Sequence, residues 1–276
     1  AGPSTPSIPE PTPLEALTVE TGVSDDAPIA GEPIQIFCTV EGLAEGQSPP
    51  ATSWVVVLLP AGAQEPTIEG DMITFVSAGA YAATCQIDAT DWVDPTPSLI
   101  TVSPAAAAEI DTAVSPAALT AGDVATVSCT GADALGNAIT EGWEVVATPG
   151  GLEVSELTLT AITAGTYDVA CALADGAVDV TPAEVTVVHG PPHSLITELE
   201  ANLIQAGDHT SLVCRAEDKQ GNTVPDFSFS VAPLTLVEFV GFDVTSTTAG
   251  TYVIKCVPGD LGEWSAFVLV SDLLEV

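Results

Sequence analysis

The residues best able to do covalent chemistry in this chain are its six cysteines. They fall in pairs along the sequence: Cys38 and Cys85, Cys129 and Cys171, Cys214 and Cys256. No pair makes the short C-x-x-C knuckle of a zinc site. Paired, evenly repeated cysteines point to disulfides and to an oxidising compartment. Histidines number three. His189 and His193 flank one junction, where they are either two metal ligands or two solvated side chains, and His209 opens a strand. Carboxylates are abundant, and Asp88, Asp91 and Asp94 cluster around Trp92. Hard cations take several oxygen ligands, so these three are candidate Ca²⁺ ligands; the other reading is a generally solvated acidic surface. Asp25 with Asp26, Asp175 with Asp179, and Asp260 with Glu263 raise the same alternative. No EF-hand string, G-x-S-x-G elbow, H-E-x-x-H, P-loop or G-x-G-x-x-G is present. With the cysteines in disulfides and almost no bases, acid–base work would rest on carboxylates alone. The expectation is therefore no enzyme and, Ca²⁺ aside, no cofactor.

Charge excludes further classes. The chain holds 38 acidic residues against three basic ones, a net charge of −35. Arg215, Lys219 and Lys255 are the bases, all late in the sequence. A nucleic-acid partner needs a positive footprint that this chain lacks, and an anionic membrane surface would repel it. The longest apolar run, Val55 to Leu59, is far too short to span a bilayer, so direct membrane insertion is not expected. Hydrophobic residues still make up 46% of the chain, enough to bury cores despite the charge.

The elements that position these residues are written three times. Ala78-Gly79-Ala80-Tyr81, Ala164-Gly165-Thr166-Tyr167 and Ala249-Gly250-Thr251-Tyr252 each run into a strand that reaches cysteine four residues after the tyrosine. Alternation along a strand puts that tyrosine and cysteine on one face. Upstream, Ala30-Gly31, Ala121-Gly122 and Ala206-Gly207 each precede a cysteine, with seven residues from glycine to cysteine. Between the cysteines, Trp54, Trp143 and Phe227 each lie six residues before a proline, with strand-forming residues between. Gly136-Asn137 and Gly221-Asn222 mark turns in copies two and three, where copy one has the longer Gly46-Gln47-Ser48-Pro49-Pro50. Strand signals at short, regular spacing with no amphipathic helix predict an all-β sandwich architecture. Trp92 and Trp264, shortly after their cysteines, are expected to pack at domain ends. The predicted organisation is a Pro-rich extended arm over 1–13, then domains over 14–103, 104–190 and 191–276. The arm holds five prolines and favours polyproline II; it is either a spacer or glycosylated stalk, or an arm that docks on a neighbouring subunit. Ser265 to Val270 reads as a final strand, and Asp272 to Val276 as the start of a further unit.

An early cysteine, an aromatic in the next strand and Gly-x-Tyr before a second cysteine together resemble the immunoglobulin-like sandwich. The tyrosine-to-cysteine spacing is four here rather than the two of antibody domains. The Ala-Gly-Thr-Tyr turn, the Ala-Gly-Asp turn and the Gly-Asn turn are similar to those of bacterial Ig-like repeats in surface proteins and adhesins, including the invasin/intimin kind. The resemblance runs from residue 14 to about 272. It implies three tandem Ig-like β-sandwich domains, each with one inter-sheet disulfide: Cys38–Cys85, Cys129–Cys171 and Cys214–Cys256. Trp54, Trp143 and Phe227 would pack on these bridges as core aromatics. Tyr81, Tyr167 and Tyr252 would cap the sheet edge, each hydroxyl bonded to nearby backbone. No binding residue transfers, because the shared positions are structural.

These readings predict a non-enzymatic, secreted or cell-surface structural protein. The first reading is the subunit of a surface fibre or layer; the alternative is the stalk of an adhesin that presents a binding tip. Partners would be copies of itself or other cell-surface proteins. No basic stretch plus apolar run opens the chain, which is expected of a mature form after signal removal. Intact mass after alkylation under non-reducing conditions should show all six cysteines unmodified; any alkylated thiol contradicts the pairing.

Overall fold

The computed structural model describes residues 17–88, 92–259 and 268–276. The Pro-rich arm, Asp91, Asp260, Glu263 and Trp264 lie outside the described residues. The described chain is all strand and turn, arranged as three sandwiches. It also divides into two compact units, residues 1–110 with 130–141, and residues 111–129 with 142–276.

In the first sandwich, Thr18–Val23, Pro33–Glu41, Met72–Thr74 and Thr67–Glu69 form one sheet in that order. Thr52–Leu58, Gly79–Ile87 and Ser98–Val102 form the other. Period-two patterning decides what faces inward. Ile34 and Ile36 are buried while the alternate residues Gln35 and Phe37 are exposed. The core joins them to Ile73, Phe75, Tyr81, Ile100 and Val102, and Trp54 packs both on this cluster and on Leu17, Val19, Cys85 and Ile87. Trp92 joins the second cluster.

The second sandwich repeats the plan. Leu152–Ser155, Thr158–Ala161, Val124–Asp133 and Ala107–Ser115 face Trp143–Thr148, Gly165–Leu173, Ala183–Val188 and Ala118–Thr120. The third divides its second sheet into two pairs, Phe229–Val231 with Cys256–Pro258 and Thr251–Ile254 with Asp272–Glu275. The stretch from Asp272 is therefore the last strand of the third sandwich and not the start of another unit. Leu274 stands opposite Tyr252 and is fully buried, which fixes the register. Val268–Val270 instead runs parallel to Ser194–Leu199.

Each sandwich is closed from sheet to sheet by one disulfide: Cys38–Cys85, Cys129–Cys171 and Cys214–Cys256, with Cα atoms 5.7, 5.7 and 5.9 Å apart. Bridges spanning 47, 42 and 42 residues each remove unfolded-chain entropy of about 4 kcal/mol in the loop-closure model. A threonine on the first strand of each sandwich ties in beside the bridge. The hydroxyls of Thr21, Thr112 and Thr197 accept from the N–H groups of Cys85, Cys171 and Cys256 at 2.9, 2.8 and 2.9 Å.

The tyrosines close the loop before their own strand. Tyr81, Tyr167 and Tyr252 donate their hydroxyls to the carbonyls of Ser77, Thr163 and Thr248, four residues upstream, at 2.7, 2.6 and 2.8 Å. Tyr167→Phe keeps the ring packing and orphans a carbonyl, so it should cost about 1 kcal/mol, read as a lower denaturant midpoint with unchanged slope. An unchanged midpoint would mean that water replaces the hydroxyl without loss.

Candidate functional site

The tyrosine hydrogen bond shapes a two-point recognition surface. By engaging the residue four before it, the hydroxyl holds the turn so that the carbonyl five before and the N–H three before are left for another group. In the first unit that group is Asn137. Its Oδ1 accepts from Ala78 N at 2.7 Å, and its Nδ2 donates to Val76 O at 3.0 Å. In the second unit Asn222 does the same to Ala164 N and Ile162 O, both at 2.8 Å. A carboxamide suits the task because it offers an acceptor and a donor side by side.

An aspartate four residues earlier holds each asparagine. Asp133 Oδ1 accepts from Leu135 N and Asn137 N at 2.9 and 2.8 Å, and its Oδ2 accepts from Asn137 Nδ2 at 2.8 Å and Ala105 N at 2.9 Å. Asp218 repeats the set: Gln220 N and Asn222 N at 2.9 and 2.8 Å, then Asn222 Nδ2 at 2.9 Å and Gly190 N at 2.7 Å. Ala105 and Gly190 lie in the junctions, so each carboxylate also grips the connecting chain. A glycine in the turn opens the αL space the loop needs (Gly136 φ 85°, Gly221 φ 86°). The loop also rests on the upstream Ala-Gly turn. A Cβ built on Gly122 would meet Gln220 Nε2 at 2.6 Å, and one on Gly31 would meet Leu135 Cδ1 at 3.4 Å.

The electrostatics favour the ionised carboxylate. Asp133 and Asp218 are only 4% and 2% exposed. Burial alone would raise their pKa values, but the hydrogen bonds from Asn137, Ala105 and Leu135, and from Gly190, Asn222 and Gln220, outweigh it. Both carboxyls are held below the ordinary aspartate value of 3.8.

Other sequence-singled residues have different places. Asp94 is buried; its Oδ2 accepts from Thr21 N and Oγ1 at 2.7 and 2.6 Å, and its Oδ1 from Thr96 N and Oγ1 at 2.8 and 2.7 Å. Burial opposes its ionisation and these donors more than restore it, so its pKa too is lowered. Asp179 has the same surroundings in the second sandwich. Thr181 bonds its Oδ1, and its Oδ2 has no well-formed hydrogen bond, yet Thr112 across from it still helps hold the pKa below the ordinary value against burial. Asp88 accepts instead from Ser53 Oγ at 2.6 Å. Asp88 and Asp94 thus serve separate local bonds. Among the described residues, no group of three His, Cys, Asp or Glu side chains is placed to hold a metal. His189 Nδ1 lies 2.9 Å from the Gly190 carbonyl oxygen.

The three strand aromatics do not occupy one position. Trp54 stands opposite Cys85, whereas Trp143 stands opposite Leu173, two residues before the Cys171 register. Phe227 precedes its strand and packs on Leu195, Ala216 and Val224, with Phe229 at a ring distance of 5.1 Å. Phe229, with Phe239 and Tyr252, packs on the cluster containing Cys214 and Cys256, and Phe227 does not. The six-residue spacing to proline aligned Phe227 with the tryptophans; the strand pairing aligns Phe229 with Trp143. Sequence reading took Gly136-Asn137 and Gly221-Asn222 as turns and missed Asp133 and Asp218. The available signal was an Asp-x-x-Gly-Asn string starting four residues after the first cysteine in two copies of three.

No protein-family model and no curated protein matches the chain. Solved structures do. The Escherichia coli adhesin FdeC superposes with a TM-score of 0.52 at 19% identity, over 97% of this chain and 99% of that one. Yersinia pseudotuberculosis InvD gives 0.47 at 14% identity over 93% and 84%. The bacterial integrin-binding protein invasin gives 0.37 at 17% identity over 92% and 60%. The chain thus has the fold of bacterial adhesin Ig-like repeats.

Because the folded carboxyls titrate below their unfolded values, their stabilisation is full above about pH 4 and is lost as pH falls through the depressed folded pKa. Amide exchange at Ala164 should therefore quicken, beyond its intrinsic pH dependence, as pH falls below about 4 and through the depressed folded pKa. Asp218→Asn, which lacks the titrating charge, should remove that excess; an unaltered profile in the variant would contradict the assignment.

Proposed function

We propose that the chain is a stalk segment of an extracellular surface protein: a non-enzymatic spacer whose consecutive Ig-like sandwiches are held by aspartate–asparagine joints. The observation that carries this is the joint around Asp218 and Asn222. It fixes the second sandwich's turn, the Gly190 junction and the third sandwich's loop in one bonded group. A spacer has to resist bending between domains, and interdomain motion is the default unless something opposes it. Here three hydrogen bonds do, Asn222 with Ala164 N and with Ile162 O, and Asp218 with Gly190 N, while the other bonds of Asp218 and Asn222 hold their own loop.

An extracellular setting is supported by three disulfides in a chain of this size. The acidic surface suits it too, because repulsion keeps neighbouring stalks apart. FdeC, which shares the fold, is an adhesin. The reading as a fibre subunit depends on residues 1–13, outside the described residues, and on a terminal strand. Of the strand expected over Ser265 to Val270, the described part, Val268–Val270, pairs with Ser194–Leu199 of its own sandwich, and Asp272–Glu275 pairs with Thr251–Ile254.

Spin labels on cysteines introduced at Val154 and Val240, exposed on the second and third sandwiches, test the joint. The distance distribution should be narrow in the parent chain and clearly broader in Asn222→Ala. A distribution equally narrow in the variant, or already broad in the parent, would remove the stiff-spacer reading.

A further inference from the structure

The third sandwich carries the same recognition surface, and nothing in the described residues fills it. Tyr252 bonds Thr248 O as Tyr81 and Tyr167 bond Ser77 O and Thr163 O. The two groups that an asparagine would take are then Thr247 O and Ala249 N. Residues Thr247 to Gly250 are all exposed. Neither Thr247 O nor Ala249 N has a hydrogen bond among the described residues. The Ala-Gly turn beside it is open as well. Gly207 has φ of 92°, as Gly31 and Gly122 have 88° and 99°, but a Cβ there would meet nothing within 4 Å. An open concavity of about 670 Å³ lies at this turn, lined by Leu203, Ile204, Gln205, Gly207, Asp208 and His209. Leu203 is 67% exposed within it.

We propose that this end of the third sandwich is a socket for the Asp-x-x-Gly-Asn loop of a further Ig-like sandwich joined in tandem. The two occupied copies define the occupant. An asparagine carboxamide would span Thr247 O and Ala249 N, and the residue two after the loop's aspartate would cover Gly207. The chain's own such loops are both engaged, at Asn137 and Asn222. The first sandwich's loop has no aspartate or asparagine, and its Gln47 Oε1 accepts from Ala44 N within the same loop. A second copy of this chain therefore brings no spare plug. Strand register also suits tandem succession. Gly250 and Val276 exchange both backbone hydrogen bonds, in the register of Gly165 with Val187 and Gly79 with Val102. In the occupied joints the aspartate takes the N–H three residues past that valine, at Gly190 and Ala105. The inference rests on the joint described above but not on its mechanical role.

The test extends the chain after Val276 with a second copy of residues 188–276, which restores the three-residue spacing and supplies an Asp218–Asn222 loop. Hydrogen exchange at Ala249 should be fast in the parent and slowed at least about tenfold in the extended chain, with Ala164 protected in both. Asn→Ala at the added copy of Asn222 should return Ala249 to its parent rate, while Asn→Asp, which keeps the size but loses the donor to Thr247 O and sets a second carboxylate against the loop's own aspartate, should lower the protection without loss of fold. Equal Ala249 rates in parent and extended chains would overturn the proposal. So would protection in the parent that grows with its concentration, which would assign the socket to a second copy. Stiffness lost in Asn222→Ala with Ala249 never protected sinks the socket alone; Ala249 protected with stiffness indifferent to Asn222 sinks the spacer reading alone.

Discussion

One carboxamide reading a carbonyl and an N–H two residues apart is the interaction on which this molecule's domain order depends. Backbone amides left without partners are costly once water is excluded. Asn137 and Asn222 satisfy two such groups at once, and they can do so because the groups are presented at fixed separation. That fixity comes from the tyrosine hydroxyl, which engages the residue between them. The Ala-Gly-x-Tyr stretch is therefore both the corner of its own sandwich and the receiving face for another. Folding inside a domain and recognition between domains use the same turn.

The role of acidity divides accordingly. Most of the 38 carboxylates coat the surface, where they act through repulsion and solvation. A few are buried, and these do structural work: Asp133 and Asp218 in the joints, Asp94 and Asp179 beside the first strands. A buried carboxylate without donors would protonate. Here each is surrounded by N–H or hydroxyl donors and so stays ionised, which strengthens the bonds it accepts. In a chain with three basic residues, backbone amides rather than ammonium groups do this neutralising.

The fold was legible because its determinants are local and repeated. Period-two burial at Ile34 and Ile36, glycine turns at fixed distance from cysteine, and tyrosine four before cysteine are all visible in one dimension. The site was less legible because its parts are distant in sequence: Asn222 meets Ala164 58 residues away. A Gly-Asn pair is ordinarily explained by its turn alone, which left the asparagine side chain without a sought partner. Asp94 and Asp179 drew attention as oxygen ligands for the same reason. Thr21, which bonds Asp94, and Thr112, which stands beside Asp179, lie on strands far upstream, so the donors near each carboxylate were not visible along the sequence. Phe227 was misaligned because a proline spacing was used where strand pairing decides register. The terminal Asp272–Glu275 looked like a beginning because two other strands, Cys256–Pro258 and Val268–Val270, come between it and its partner Thr251–Ile254 in the sequence.

Recognition through main-chain atoms has a consequence for the kind of array such domains form. Val76 and Ala78, or Ile162 and Ala164, contribute only their backbones to the asparagine. Their side chains are free to vary so long as the turn keeps its tyrosine and its glycine. The joint is thereby specific for orientation, because plug and socket lie on different loops, and tolerant of sequence, because it reads no side chain on the receiving face. Domains of diverse surface can follow one another with the same geometry. A side-chain interface would require both faces to change together; this one asks each domain to retain an Asp-x-x-Gly-Asn loop and an Ala-Gly-x-Tyr turn, and the turn is already needed for the domain to fold.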